Sequence, residues 1–149
     1  MTDERFQELM RLEKSFVKSD IVLPANNENV AFDVKSISTR DEFFLDIDRR
    51  GKIELSKFKL QNRYAKTKLP LVRIDIDSPP HTNPDGTMTS RNHIHIYRET
   101  DTPTGNLPWA YDLDSFEEYR FEDITNFMQV FSDFCAFCRI AVPHIQGII

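Results

Sequence analysis

The sequence predicts an α+β domain: an antiparallel meander of five or six strands with an N-terminal helix and C-terminal helices. Three observations carry this expectation. Apolar spacing is helical near both ends of the chain and period-two between them. All four glycines, at 51, 86, 105 and 147, fall between the expected elements. The alternating strands present one apolar and one polar face, as in an antiparallel sheet covered on one side.

The first helix is expected over 3–18, where Phe6, Leu9, Leu12, Phe16 and Val17 follow helical spacing and Asp3 and Glu4 suit the positive end of the helix dipole. A loop follows through Pro24 and the asparagines. Strands are then expected around Val30–Val34 and Phe43–Ile47. The segment 48–52 reads as a hairpin turn built on Gly51, and 52–60 as a strand with a bulge near Ser56 or Lys57. Residues 71–77 and 93–97 alternate cleanly, and a last short strand is expected over Trp109, Tyr111 and Leu113. Asp114 or Ser115 caps a short turn. A longer helix runs from Asp123 to about Arg139, its stripe formed by Ile124, Phe127, Met128, Phe131, Phe134, Cys135 and Cys138.

With 149 residues and 12 phenylalanines, residues 1–149 form a single domain with one core. The sequence contains no apolar run of about 18 residues, so no transmembrane span is expected. The charged N-terminus carries no secretion signal, and the two cysteines cannot build a disulfide framework. A cytoplasmic setting is expected. Cys135 and Cys138 read as buried core residues, and His144 as a solitary histidine.

The net charge of −5 hides a basic block. Between residues 49 and 73 there are nine basic residues and one acid, Glu54. Lys57, Lys59, Gln61, Arg63, Lys66 and Lys68 are the candidate phosphate-binding residues, and RNA or another phosphate-bearing ligand is the expected partner.

Chemistry concentrates between residues 73 and 97. Arg73, Asp75 and Asp77 share one face of their strand, and His93, His95 and Tyr97 one face of theirs. If the strands pair, these groups meet at cross-strand distances of roughly 5 Å. Ile74, Ile76, Ile94 and Ile96 then face the core. The connecting loop, 78–92, holds His81 and the turn Asn83-Pro84-Asp85-Gly86, and His81 can fold over the same surface.

Three functions follow. The first is metal-independent, toxin-like RNA cleavage with His93, His95, Arg73, Tyr97 and His81 as catalytic groups and no cofactor. Two imidazoles supply base and acid, and a cation stabilises the phosphorane. The second is a protein-interaction module engaging an antitoxin or defence component. The third is a metal site in which Asp75, Asp77 or His81 completes the His-x-His pair. On the first reading, both histidine rings lie on a wet face and can be truncated at a cost of at most about 1 kcal/mol.

Two resemblances attach to these residues. HIHIYRE (93–99) resembles the first cupin motif through His93, His95 and Glu99, but Gly86 and Gly105 are each displaced by one, and the second cupin motif is absent. The combination RIDID, HTNPDG and HIHIYRE resembles a family of small bacterial and prophage proteins with a His-x-Asn-Pro-Asp-Gly turn followed by His-x-His-x-Tyr. That resemblance implies a bacterial or phage setting and a shared site, without a reaction.

Overall fold

The computed structural model describes residues 1–51, 56–100 and 106–147. Thr2 opens helix α1 (Asp3–Arg11), its hydroxyl accepting from the Arg5 amide at 3.0 Å. Phe6 and Leu9 bury one side of this helix. The helix ends well before residue 18, because Lys14–Phe16 forms an extended strand, β1. Lys14 and Phe16 point inward there, and pairing on both edges outweighs the helical spacing.

Short β2 (Asp20–Ile21) is followed by β3 (Asn29–Ser36), β4 (Glu42–Asp48), β5 (Phe58–Tyr64), β6 (Pro70–Ile76), β7 (His93–Ile96) and β8 (Ala110–Asp112). A 3-10 turn (Leu113–Ser115) leads toward helix α2 (Phe127–Phe137), and the chain ends in β9 (Ile140–Ala141) and β10 (His144–Ile145). The start of α2 is set by Asn126, whose side chain accepts from the Gln129 amide, and not by Asp123, which closes a turn onto Thr125 just before it.

The sheet corrects the expected architecture. It has eight strands in the order β8-β7-β6-β5-β4-β3-β1-β9, and it is mixed: β1 pairs with β9 in parallel. A second, two-stranded sheet pairs β10 with β2, also in parallel. Among the described residues there is a short N-terminal helix and one C-terminal α-helix. The pairings missed by the sequence reading involve strands of two or three residues, too short to show a period. The strand expected over 52–60 begins at Phe58; Ile53 and Leu55, like Lys52 and Glu54, lie outside the described residues, and so does Gly105. The register irregularity in β5 falls at Asn62/Arg63 rather than near Ser56.

The pleat divides the long strands as the alternation requires. Phe43, Leu45 and Ile47 of β4, Leu60 of β5, Ile74 and Ile76 of β6 and Ile94 of β7 join the core with Val130, Phe131 and Phe134 of α2. Phe58 stacks edge-on against Phe127, their ring centroids 5.1 Å apart. The opposite face of β4–β6 is polar.

A lysine sits at the edge of this core. Lys14 is fully buried, and its Nζ donates to the carbonyls of Leu12 at 2.9 Å and Cys138 at 2.8 Å. It therefore occupies carbonyls that both helix C-termini leave without partners. Burial lowers its pKa to about 8. Cys135 and Cys138 are free and buried, as expected, and burial pushes the Cys138 thiol up to about 12.

Candidate metal and anion site

β6 and β7 pair antiparallel with Arg73 opposite His95 and Asp75 opposite His93. The predicted neighbours and register are therefore present, with Ile74 and Ile94 on the core side. Solvent access differs from expectation. His93 and His95 are each 1% exposed and Asp75 3%, so this end of the polar face is covered.

The cover is the loop 78–92, which folds back on itself. Thr89 donates to the His81 carbonyl and His81 to Thr89 Oγ1, and a single bridge joins Thr82 and Met88. Its tip is the predicted turn: the Gly86 amide reaches the Asn83 carbonyl at 2.9 Å, and Gly86 takes φ +88°. Asn83 has a second role that the sequence did not disclose. Its amide accepts from Ala110 N at 2.8 Å and donates to Ala110 O at 3.0 Å, fastening the loop to β8.

Within this enclosure the ring nitrogens are sorted. His93 Nδ1 lies 2.9 Å from the Ser90 carbonyl, and His95 Nδ1 lies 2.9 Å from the Leu107 carbonyl. A carbonyl only accepts, so each Nδ1 carries a proton. Both Nε2 atoms then turn toward one oxygen, Asp75 Oδ2, at 3.3 Å and 3.5 Å. Burial disfavours the charged form of His95 and lowers its pKa, so its Nε2 is a bare lone pair. Burial alone would raise the Asp75 carboxyl, but the Arg73 guanidinium, bonded to both of its oxygens, works the other way, and the group lies well below the usual range.

Arg73 supplies the cation: Nε lies 2.7 Å from Asp75 Oδ1, and Nη2 lies 3.2 Å from Oδ2 and 3.1 Å from His95 Nε2. His81 does fold over the pair, its ring 4.7 Å from that of His95, with Nε2 2.7 Å from the Pro108 carbonyl.

Other expected members lie elsewhere. Tyr97 leaves the strand and packs against Phe6 of α1 at 5.5 Å, its hydroxyl donating to the Met1 carbonyl. Asp77 takes a left-handed turn at φ 52° just past the end of β6, its amide held by Asn92. Glu99, the cupin-like glutamate, exchanges hydrogen bonds with Asp3. His144 is partnered, 2.8 Å from Asp20.

The basic block does not form one surface. Arg49 stacks on Phe127 at 4.1 Å on the helix side, whereas Lys66 and Lys68 sit in the β5–β6 turn, away from the histidine end of the sheet. Lys57 precedes β5. Lys59, Gln61 and Arg63 do share the polar face, lining a groove of about 440 Å³ with Arg73. Arg63 pairs with Asp46 on the neighbouring β4, and Arg50, just past the end of β4, pairs with Asp48 two residues before it at 3.0 Å. With Arg73 on Asp75, three of the nine basic residues are ion-paired among the described residues, and the other described ones are spread over different parts of the fold. Asp75, the centre of the cluster, entered the sequence reading as one of three possible ligands completing the His-x-His pair and not as a catalytic group, and the carbonyls of Ser90, Leu107 and Pro108 carried no side-chain signal at all.

A family model described as a family of unknown function, DUF6978, matches residues 1–140. No curated protein and no solved structure matches significantly.

Proposed function

The chain belongs to the DUF6978 family, and from that starting point we propose that it is a metal-binding protein whose Asp75, His93 and His95 hold one divalent transition-metal ion. One observation carries this reading: two imidazoles with protonated Nδ1 atoms aim both Nε2 atoms at a single carboxylate oxygen, at 3.3 and 3.5 Å. Arg73 Nη2 is the positive group that meets two of these atoms, His95 Nε2 and Asp75 Oδ2, and a cation between the two Nε2 atoms and the carboxylate would satisfy all three at once. The three donor atoms lie within 4.8 Å of one another, a span one ion can bridge. Ligating histidines characteristically give their other N–H to a carbonyl, which fixes the tautomer and leaves the second nitrogen free for metal. The N₂O donor set suits zinc or another borderline ion better than calcium or magnesium.

RNA cleavage by His93 and His95 acting as free acid and base is less well supported. Both rings are shut away from solvent, and the cations meant to hold a strand are dispersed or paired. A bacterial or prophage origin belongs to this proposal on the strength of the sequence resemblance. A reducing, cytoplasmic setting belongs to it too, supported by the two free thiols. Among the described residues no helix is long and apolar enough to cross a membrane.

Chelator-treated protein titrated with Zn²⁺ tests the reading. One equivalent should bind, and Asp75→Asn, His93→Ala and His95→Ala should each remove that binding while circular dichroism remains native. Absence of stoichiometric binding by the wild type would overturn it.

A further inference from the structure

The groove beside the cluster is bounded by Asp46, Asp48, Arg50, Lys59, Arg63 and Arg73, among others. Three of its four cations have a carboxylate partner: Arg50 with Asp48, Arg63 with Asp46, and Arg73 with Asp75. Lys59 is the fourth. It stands in register between Asp48 on one side and Asp75 on the other, with no ion pair among the described residues. Arg73 belongs to both places: its side chain is 26% exposed and lines the groove, while its Nη2 touches His95 Nε2 and Asp75 Oδ2.

The last contact has a consequence. An ion held by Asp75, His93 and His95 needs the same His95 lone pair and the same carboxylate oxygen that Arg73 Nη2 now uses. A dication there also repels the guanidinium, and its side of access to solvent is the groove. We infer that metal binding releases Arg73 into the groove, where with Lys59 it forms a site for a phosphate-type oxyanion, so that metal and anion bind cooperatively. A guanidinium that keeps only its Nε bond to Asp75 Oδ1 turns both Nη groups outward, the N–H pair that such oxyanions take bidentately, and Lys59 adds a point charge. Coupling of this kind is reciprocal: the anion should tighten metal binding by the same factor.

This inference rests on the metal reading, and the experiment separates the two. Phenyl phosphate, a soluble monoester, is titrated at low salt into chelator-treated and Zn²⁺-loaded protein, with Zn²⁺ stoichiometry measured first. The expected result is at least tenfold tighter phenyl phosphate binding in the loaded protein. Lys59→Ala should weaken that binding while still taking one equivalent of Zn²⁺. Arg73→Gln should keep Zn²⁺ binding and lose the difference between the two states, which excludes simple coordination of the phosphate by the metal. If Zn²⁺ binds but phenyl phosphate affinity is equal with and without it, the coupling is wrong and the metal site stands. A difference that persists in Arg73→Gln also overturns it. If Zn²⁺ itself does not bind, the metal reading falls and this inference with it.

Discussion

Arg73 and His95 face each other across β6 and β7, and the guanidinium Nη2 lies 3.1 Å from the imidazole Nε2. The same guanidinium holds the nearly inaccessible Asp75 through Nε at 2.7 Å. The fold thereby buries a carboxylate and two imidazoles behind a cation that still reaches the groove, so that each depends on the others for polar partners.

Breaking the ion pair should be costly. Asp75→Asn removes the carboxylate from a buried pair and leaves Arg73 without its counter-charge. A loss of about 3 kcal/mol in unfolding free energy is expected, read from urea denaturation of metal-free protein. A loss below about 1 kcal/mol would show that Arg73 simply turns to solvent.

The histidines should not be dispensable. His95→Ala strands the Leu107 carbonyl of a buried residue, whereas His93→Ala empties a fully buried ring position and leaves the Ser90 carbonyl with the Thr89 hydroxyl as its remaining donor. Each should cost about 2 kcal/mol in the metal-free protein. Equal denaturation midpoints for wild type and variants would return the rings to the wet face that the sequence suggested.

Metal should stabilise the fold. At a hundredfold excess over the dissociation constant, one Zn²⁺ ion should add about 2.7 kcal/mol to the unfolding free energy. The rise in melting temperature should vanish in His93→Ala and be reversed by chelator. A rise that survives that substitution would place the ion elsewhere.

Lys14 makes a pH prediction whose sign is fixed. Its folded pKa, about 8, lies below the ordinary 10.5. Between those values the unfolded chain binds more protons, so the Lys14 contribution to stability grows as pH rises from 8 to 10.5 and is lost as pH falls through 8. The change is on the order of 3 kcal/mol. The buried thiols act oppositely: their folded pKa values are raised, so their contribution declines as pH climbs past 9.0. Subtracting the Lys14→Met stability curve from the wild-type curve isolates the lysine. A flat difference would mean that Lys14 keeps its proton in the fold throughout.

The loop over the cluster should depend on its fastening. Asn83→Ala leaves both the N–H and the C=O of Ala110 unpartnered and should cost about 2 kcal/mol. Gly86→Ala meets no neighbouring atom but must hold φ +88°, a strain of about 1 kcal/mol. Hydrogen exchange at the Ala110 amide should accelerate strongly in the first variant and little in the second. Comparable protection in both would show that the loop is held by other contacts.

The sequence made the central geometry legible because strand alternation is a local rule. From RIDID and HIHI alone, Arg73, Asp75, His93 and His95 fall on one face, and the structure puts them there. The turn at Asn83–Gly86 was equally readable, since each position has its own conformational demand. Burial was not. It depends on where loop 78–92 lies, and that is decided by Asn83 reaching Ala110, 27 residues away. The basic block misled for a related reason: charge counted along the chain takes no account of where each residue ends up, with Arg49 on the helix side, Lys66 and Lys68 in the β5–β6 turn, and Arg63 against Asp46 of the next strand. The parallel pairs were invisible because β9 and β10 offer two residues each.

The parallel join between β1 and β9 also sets an order of events during synthesis. Lys14 lies 124 residues upstream of Cys138, whose carbonyl it bonds, and Ile140 follows two positions later. A nascent chain can assemble the run from β3 to β8 while α2 is still inside the ribosome. Until α2 and β9 emerge, however, one edge of β1 stays open and the lysine has no complete set of acceptors. The last step of folding is therefore a closure between distant parts of the chain. A chain truncated before Cys138 should leave one edge of β1 open and the Lys14 ammonium without its Cys138 acceptor.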